Sequence, residues 1–192
     1  MIEKNIIAQI GHPILRKKTK EVNTNNLTSI KTKKIIKNLI KVMREVNGAG
    51  LAANQIYYDL RICVLEIKNN DRYKHLPVIP LKILINPKIE VLDKNKTFNS
   101  YEGCLSVPNI RGIVKRYCNI KVSYFNEIGH YCSENVNNFA AIVYQHEIDH
   151  LDGILFTDRV TDNKSLVTYE NFIKYYEEKY RKEVYKLGFN EL

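Results

Sequence analysis

His146 and His150 stand four residues apart, with Glu147 directly after the first, in Tyr144-Gln145-His146-Glu147-Ile148-Asp149-His150-Leu151-Asp152-Gly153. On an α-helix this spacing puts both imidazoles on one face, a turn apart, where they can reach a single metal ion while Glu147 overhangs the coordination position left open. The chemistry such a group supports is metal-assisted hydrolysis; the bland alternative is a surface helix that happens to carry two histidines. A catalytic site of this kind takes three protein ligands and keeps a fourth position for water, so one more ligand must come from elsewhere. Cys104 is the best candidate, in Tyr101-Glu102-Gly103-Cys104-Leu105-Ser106-Val107-Pro108, where Gly103 permits close approach of backbone to ion and Pro108 ends the run. Cys63, in Ile62-Cys63-Val64-Leu65, reads instead as a small buried hydrophobe. A third stretch, Gly48-Ala49-Gly50-Leu51-Ala52-Ala53-Asn54-Gln55, gathers small residues ahead of an amide. It could receive an extended peptide edge to edge, with Gln55 donating a hydrogen bond into the site, or it could be a helix C-cap at Gly48 followed by a packed turn. Asp149 either orients a ligand from behind or is a solvent-facing carboxylate.

The elements that must position these residues follow from periodicity. Ile35, Ile36, Leu39, Ile40, Met43 and Val46 recur at helical spacing and predict an amphipathic helix over Lys33 to Val46, stopped by Asn47-Gly48. Short β-rich runs follow, over Ile62 to Ile67, Lys82 to Ile85, Ile89 to Leu92, Ile110 to Val114, Ile120 to Phe125 and Tyr131 to Val136. Turn signals such as Asn86-Pro87, Asp93 to Lys96 and Asn126 to Gly129 separate them. Asn137-Asn138 offers an N-cap for the histidine-bearing helix, and Gly153 suits its end. Leu166, Tyr169, Phe172, Ile173, Tyr176, Tyr180, Val184 and Leu187 predict a final helix over about 165–187. The fold class is therefore α+β: one domain over 1–192, with antiparallel β-sheets around a central His-Glu-x-x-His helix and helices at the N- and C-terminal ends.

Composition sets outer bounds. A chain of 192 residues with 44% hydrophobic residues can bury a core of its own. The net charge of +9 leaves a polyanionic partner open, but the lysines are scattered among asparagines and mark no nucleic-acid surface. The first residues carry a glutamate and reach no apolar core of a secretory signal, and nowhere do about eighteen apolar residues run together, so no membrane span is expected. Four cysteines without regular spacing fit a reducing compartment. The cytoplasm is the expected location, or an organellar matrix if a presequence has been removed.

Gly48 to Gln55, Glu102-Gly103-Cys104-Leu105-Ser106 and His146 to His150 together resemble the three motifs of the peptide deformylases, in that family's order. Gly11-His12-Pro13-Ile14-Leu15-Arg16 also looks like the family's opening segment, and the resemblance covers most of the chain. It implies that Cys104, His146 and His150 hold one divalent metal ion, that Glu147 is the general acid/base, and that Gln55 and the backbone N–H of Leu105 stabilise the oxyanion. The implied substrate is the N-formylmethionyl end of a new polypeptide, laid as an extra strand beside Gly48, Ala49, Gly50 and Leu51, with Arg111 and Ile142 lining the cleft and formate released. The family commonly works with Fe2+; Zn2+, Ni2+ or Co2+ can occupy such sites, and a thiolate with two imidazoles suits zinc and ferrous iron alike. The final helix is similar to the one associated with ribosome contact in bacterial-type members. A general metallopeptidase would share the two-histidine helix but leave the other two motifs without a purpose. A non-catalytic binding protein on the same fold would leave intact ligands, base and amide unexplained. Ala49, Tyr57-Tyr58 and Lys115 depart from the usual pattern, which bears on pocket shape and a strand edge more than on the reaction.

Overall fold

A computed structural model describes residues 6–68 and 76–189; the signal-peptide reading of residues 1–5 lies outside them. Helix α1 (Ile30–Glu45) starts ahead of its apolar stepping because Ser29 caps it, Oγ accepting from the Thr32 N–H at 3.2 Å. It stops where Asn47 turns left-handed at φ 52° and the Gly48 N–H closes onto the Met43 carbonyl at 2.9 Å. Its buried face, Ile35, Ile36, Leu39 and Met43, packs on strands β1 (Gly50–Ala52) and β2 (Ile62–Ile67).

Strand β3 (Ile79–Val91) runs straight through the place where Asn86-Pro87 predicts a turn between two strands. The register with β6 (Asn119–Phe125) shifts between Ile85 and Lys88, a bulge centred on Asn86 at φ 54°. The Asn86 side chain accepts from the Val22 N–H and donates to the Val22 carbonyl, both at 2.8 Å, so a residue that signals a turn instead ties the strand to the N-terminal segment. With β7 (Tyr131–Asn137) these strands form a five-stranded antiparallel sheet in the order β1-β2-β3-β6-β7, which leaves β1 on an edge.

The second sheet is the hairpin of β4 (Thr97–Cys104) and β5 (Val107–Tyr117), joined by Leu105-Ser106, with the short β8 (Val167–Thr168) beside β5. The sequence of β4 mixes Thr, Asn, Ser and Gly with two aromatics and lacks strand periodicity; pairing with β5 imposes the strand. Helix α2 (Asn138–Leu151) packs on β1, β2 and β5 and is buried around most of its circumference. Asn137 stands at its N-cap without a side-chain hydrogen bond, and left-handed Gly153 (φ 76°) ends it; a Cβ at Gly153 would fall 2.8 Å from the Arg16 carbonyl. The short α3 (Phe156–Arg159) follows.

Where the apolar stepping predicts one final helix over 165–187, two form: α4 (Tyr169–Tyr175) and α5 (Glu177–Phe189). Phe172 and Tyr180 would be about 12 Å apart along a continuous helix. The break at Tyr176 brings their rings to 5.9 Å and packs both on Tyr101 of β4, at 5.2 and 5.8 Å. Tertiary aromatic packing thus overrides the local helical preference. No described helix is long and apolar enough to cross a membrane.

Candidate active site

Two elements bring the predicted ligands together. Cys104 ends β4, while His146 and His150 lie a turn apart on α2, and ligand atoms of all three fall within 4.8 Å of one another. Cys104 Sγ is 3.2 Å from His150 Nε2. His146 Nδ1 is 2.8 Å from Glu102 Oε2, which leaves its Nε2 lone pair for an ion. His150 Nδ1 and Glu147 Oε2 are buried without hydrogen-bond partners. One thiolate, two imidazoles and a neighbouring carboxylate with an unmatched oxygen form a donor set that fits a soft or borderline divalent cation.

The surrounding charges prepare these groups. Burial would raise the Cys104 thiol, but His150 and His146 outweigh it and hold the thiol well below its ordinary value, favouring thiolate. Burial likewise works against ionised Glu102; Arg116, its Nε and Nη2 donating to the carboxylate at 2.7 and 2.9 Å, and His146 pull it down to about 2. Burial pushes Glu147 up to about 7, against the opposing pull of His146 and His150. Asp149, open between two readings in the sequence, does not face solvent: it is 8% exposed and accepts from Arg116 at 2.5 Å and from Arg159. Arg116 thereby links Asp149 to Glu102, and Glu102 links to His146.

Gln55 sits in a 3-10 turn (Ala53–Ile56) directly after β1. Its carbonyl oxygen accepts from the Ala52 N–H at 2.8 Å, which turns its amide nitrogen toward Ser106 Oγ at 3.1 Å and Cys104 Sγ at 3.6 Å. Leu105 follows Cys104 in the tight β4–β5 turn. A cleft of about 600 Å³ runs past these groups, lined among others by Gly48, Ala49, Gly50, Gln55, Leu105, Arg111, Ile142, His146 and Glu147. Leu51 differs: it is not among the residues lining the cleft, and its side chain is fully buried in the core beneath α1.

The glycines have specific reasons. A Cβ on Gly50 would fall 2.5 Å from the Glu147 carboxyl, and one on Gly103 would fall 1.6 Å from Arg111 Nη1. The Arg111 guanidinium lies over Gly103 and 4.6 Å from the Tyr169 ring centroid. Tyr57, at the departure noted after the first motif, takes φ 69° and sets its ring edge-on to His12 at 5.2 Å.

The family model described as polypeptide deformylase matches residues 4–166. The chain belongs to that family. Peptide deformylase 2 of Nostoc sp. is 38% identical over 166 residues, covering 86% of this chain and 91% of the relative. A class I type b peptide deformylase from Acinetobacter baumannii superposes with a TM-score of 0.76 at 34% identity, covering 81% of this chain and 98% of that one. Peptide deformylase from Thermotoga maritima gives 0.71 at 36%, covering 81% and 97%. Deformylases are metalloenzymes, and Cys104, His146 and His150 form the group able to hold the ion in this one.

Residue type alone gives Glu102 and Arg116 no role, although Glu102 opens the Glu-Gly-Cys motif. The available signal was its spacing: in a strand, residues two apart point the same way, so Glu102 and Cys104 face the same helix. Ser106, which accepts from the Gln55 amide, and Asn54, whose amide donates to the His150 carbonyl, are likewise not marked by residue type. No spacing rule links these last two to the site.

Proposed function

We propose that this deformylase removes the N-formyl group from the formylmethionyl end of newly made polypeptides, with Cys104, His146 and His150 holding the ion, Glu147 moving the proton, and Gln55 with the Leu105 N–H receiving the oxyanion. The observation that carries this reading is the cluster of three potential ligands, two of which line one cleft together with a buried carboxylate and an oriented primary amide. Cys104, His146 and His150 would hold a divalent ion, which would supply Lewis acidity at this site.

The chain's own residues do the rest. β1 is an edge strand, so an extended peptide can add to it, and Gly50 carries no side chain that would crowd Glu147 beside it. Glu147 accepts a proton from the attacking water and later delivers it to the departing amine nitrogen, so that the amide and one water become formate and a free N-terminus. The Gln55 amide, fixed by Ala52, is preorganised to donate to the oxygen on which charge develops. Ile142 contributes an apolar part of the wall, and Arg111 lines the same cleft.

Ferrous iron is our reading of the native metal, on the family resemblance; zinc, nickel and cobalt suit the same donors. We place the enzyme in the cytoplasm, where nascent formylated chains would be met at the ribosome. The α5 face carrying Glu178, Lys179, Lys182, Glu183 and Lys186 is the surface we assign to ribosome contact, since the opposite face, with Val184, packs on the core. Co-sedimentation at low salt tests this, and a protein that stays in the supernatant would overturn it.

The deciding assay is formate release from formyl-Met-Ala by anaerobic, iron-loaded enzyme. Glu147→Ala is expected to reduce kcat by about 10²–10⁴-fold with the ion still bound. Undiminished turnover in that variant would sink the mechanism, and cleavage of unformylated internal peptide bonds would point to a general peptidase.

A further inference from the structure

The family match ends at residue 166, yet the next two helices build part of the cleft. Tyr180 and Phe172 line it together with Phe139, Ile142 and Val143 of α2. These side chains form its apolar part, next to the ligand His146.

Tyr180 is firmly placed. One turn on, Val184 is 1% exposed in the core shared with Phe139 and Val143, and both Tyr180 and Leu187 pack against that core. Tyr180 Oη lies 2.7 Å from Ser100 Oγ on β4. Its ring meets Tyr101 at 5.8 Å, Phe172 at 5.9 Å and Phe98 at 6.3 Å. With the hydroxyl partnered and burial pushing the phenol above its usual range, the group stays neutral and can offer the cleft its apolar ring.

A formyl group beside Cys104, His146 and His150 puts the first side chain of the substrate within reach of this apolar lining. We propose that Tyr180 of α5 walls the pocket for that first side chain, so that the C-terminal helix, outside the family match, helps set the preference for a slender, unbranched residue such as methionine. The proposal rests on the deformylase reading. It makes Tyr180 a specificity-determining residue and gives it no part in the chemistry.

The test compares kcat/KM for formyl-Met-Ala and formyl-Phe-Ala in the iron-loaded full chain, in wild type, Tyr180→Ala and Tyr180→Phe. Opening the wall in Tyr180→Ala is expected to raise the Phe/Met ratio by about tenfold or more, whereas Tyr180→Phe keeps the ring and should hold the ratio within about twofold. A purely structural role would depress both substrates alike and leave the ratio unmoved, which overturns the proposal. Wild-type enzyme inert toward formyl-Met-Ala would sink the deformylase reading itself, a separate result. If Tyr180→Ala does not fold, hydrogen exchange on wild type decides: saturating Met-Ala should slow α5 amides around Tyr180 by about threefold or more, and unchanged exchange overturns the proposal.

Discussion

Glu102 shows how much of the candidate metal centre depends on a residue that is not a ligand. It accepts from His146 and from two nitrogens of buried Arg116, so one carboxylate fixes a ring orientation and neutralises a buried cation. Glu102→Gln keeps the volume but removes the charge. Metal affinity, measured by competition with a chelator, is expected to fall about 10–100-fold. Stability should fall by roughly 3 kcal/mol because Arg116 keeps only its Asp149 partner, as a urea titration of the metal-free protein would register. Affinity equal to wild type would show that Glu102 does not orient His146. Residue types in the sequence made Cys104, His146 and His150 visible because few residues can hold a metal ion. Glu102 and Arg116 were not visible as site residues because charged residues are common and their roles depend on what they touch.

At the scale of elements, the meeting of β1 with α2 decides whether the carboxylate can work. Gly50 and Glu147 approach so closely that any side chain on β1 at that point must displace the Glu147 carboxylate. Gly50→Ala is expected to lower kcat about 100-fold, the scale of a 1 Å misplacement, while metal content stays at the wild-type level. Gly103→Ala makes the opposite case. The obstructing group is the far end of flexible Arg111, which can swing away, so the melting temperature should hardly move while KM rises several-fold at nearly constant kcat. Equal kcat losses in the two variants would contradict the assignment of Glu147 to chemistry and Arg111 to binding. Elements were legible where a local pattern marks them: α1 and β6 each bury one face and carry clear periodicity, β2 is a continuous apolar run buried throughout, and α2 is marked by the histidine spacing. β4 and the α4–α5 break were not, because each is imposed by a partner distant in sequence, β5 for the first and Tyr101 for the second.

Over the whole molecule, Glu134 joins four elements. Its carboxylate accepts from Lys82 of β3 at 2.7 Å and from Tyr124 of β6 and Tyr144 of α2, both at 3.0 Å, while Glu134 itself lies on β7. Burial alone would raise its pKa, but Lys82, Tyr144 and Tyr124 together hold it below the ordinary range. A folded value below the unfolded one, about 4.3, means that the stabilisation is present above that pH and fades as pH falls through the folded value. Glu134→Gln is therefore expected to cost up to about 1 kcal/mol at pH 7, limited by screening of a side chain 30% exposed, and less at pH 3. Urea midpoints at the two pH values check the sign; a larger loss at pH 3 would reverse it. Metal loading is the second global effect expected, since the candidate ligands come from both β4 and α2 and binding to the folded chain alone would stabilise it. At a free-ion concentration about 100 times Kd the gain is about 2.7 kcal/mol, or roughly 5–10 °C in Tm for a chain of this size. Calorimetry with and without chelator tests it, and an unchanged Tm would mean that the ion does not hold the two elements together.

Residue types and spacing alone point to metal-assisted hydrolysis, because metal ligation and proton transfer need rare residue types at fixed spacing, and His146, Glu147 and His150 satisfy helix geometry without reference to the rest of the fold. The sequence also marked the family through three ordered motifs. What surrounds them emerges from the fold: the Arg116 that ties Glu102 to Asp149, the burial of Asp149, the burial of the Leu51 side chain in the core, and the placement of Tyr180 in the cleft lining. Those depend on contacts between residues tens of positions apart, Ser100 and Tyr180 among them, and local spacing carries no information about such distances.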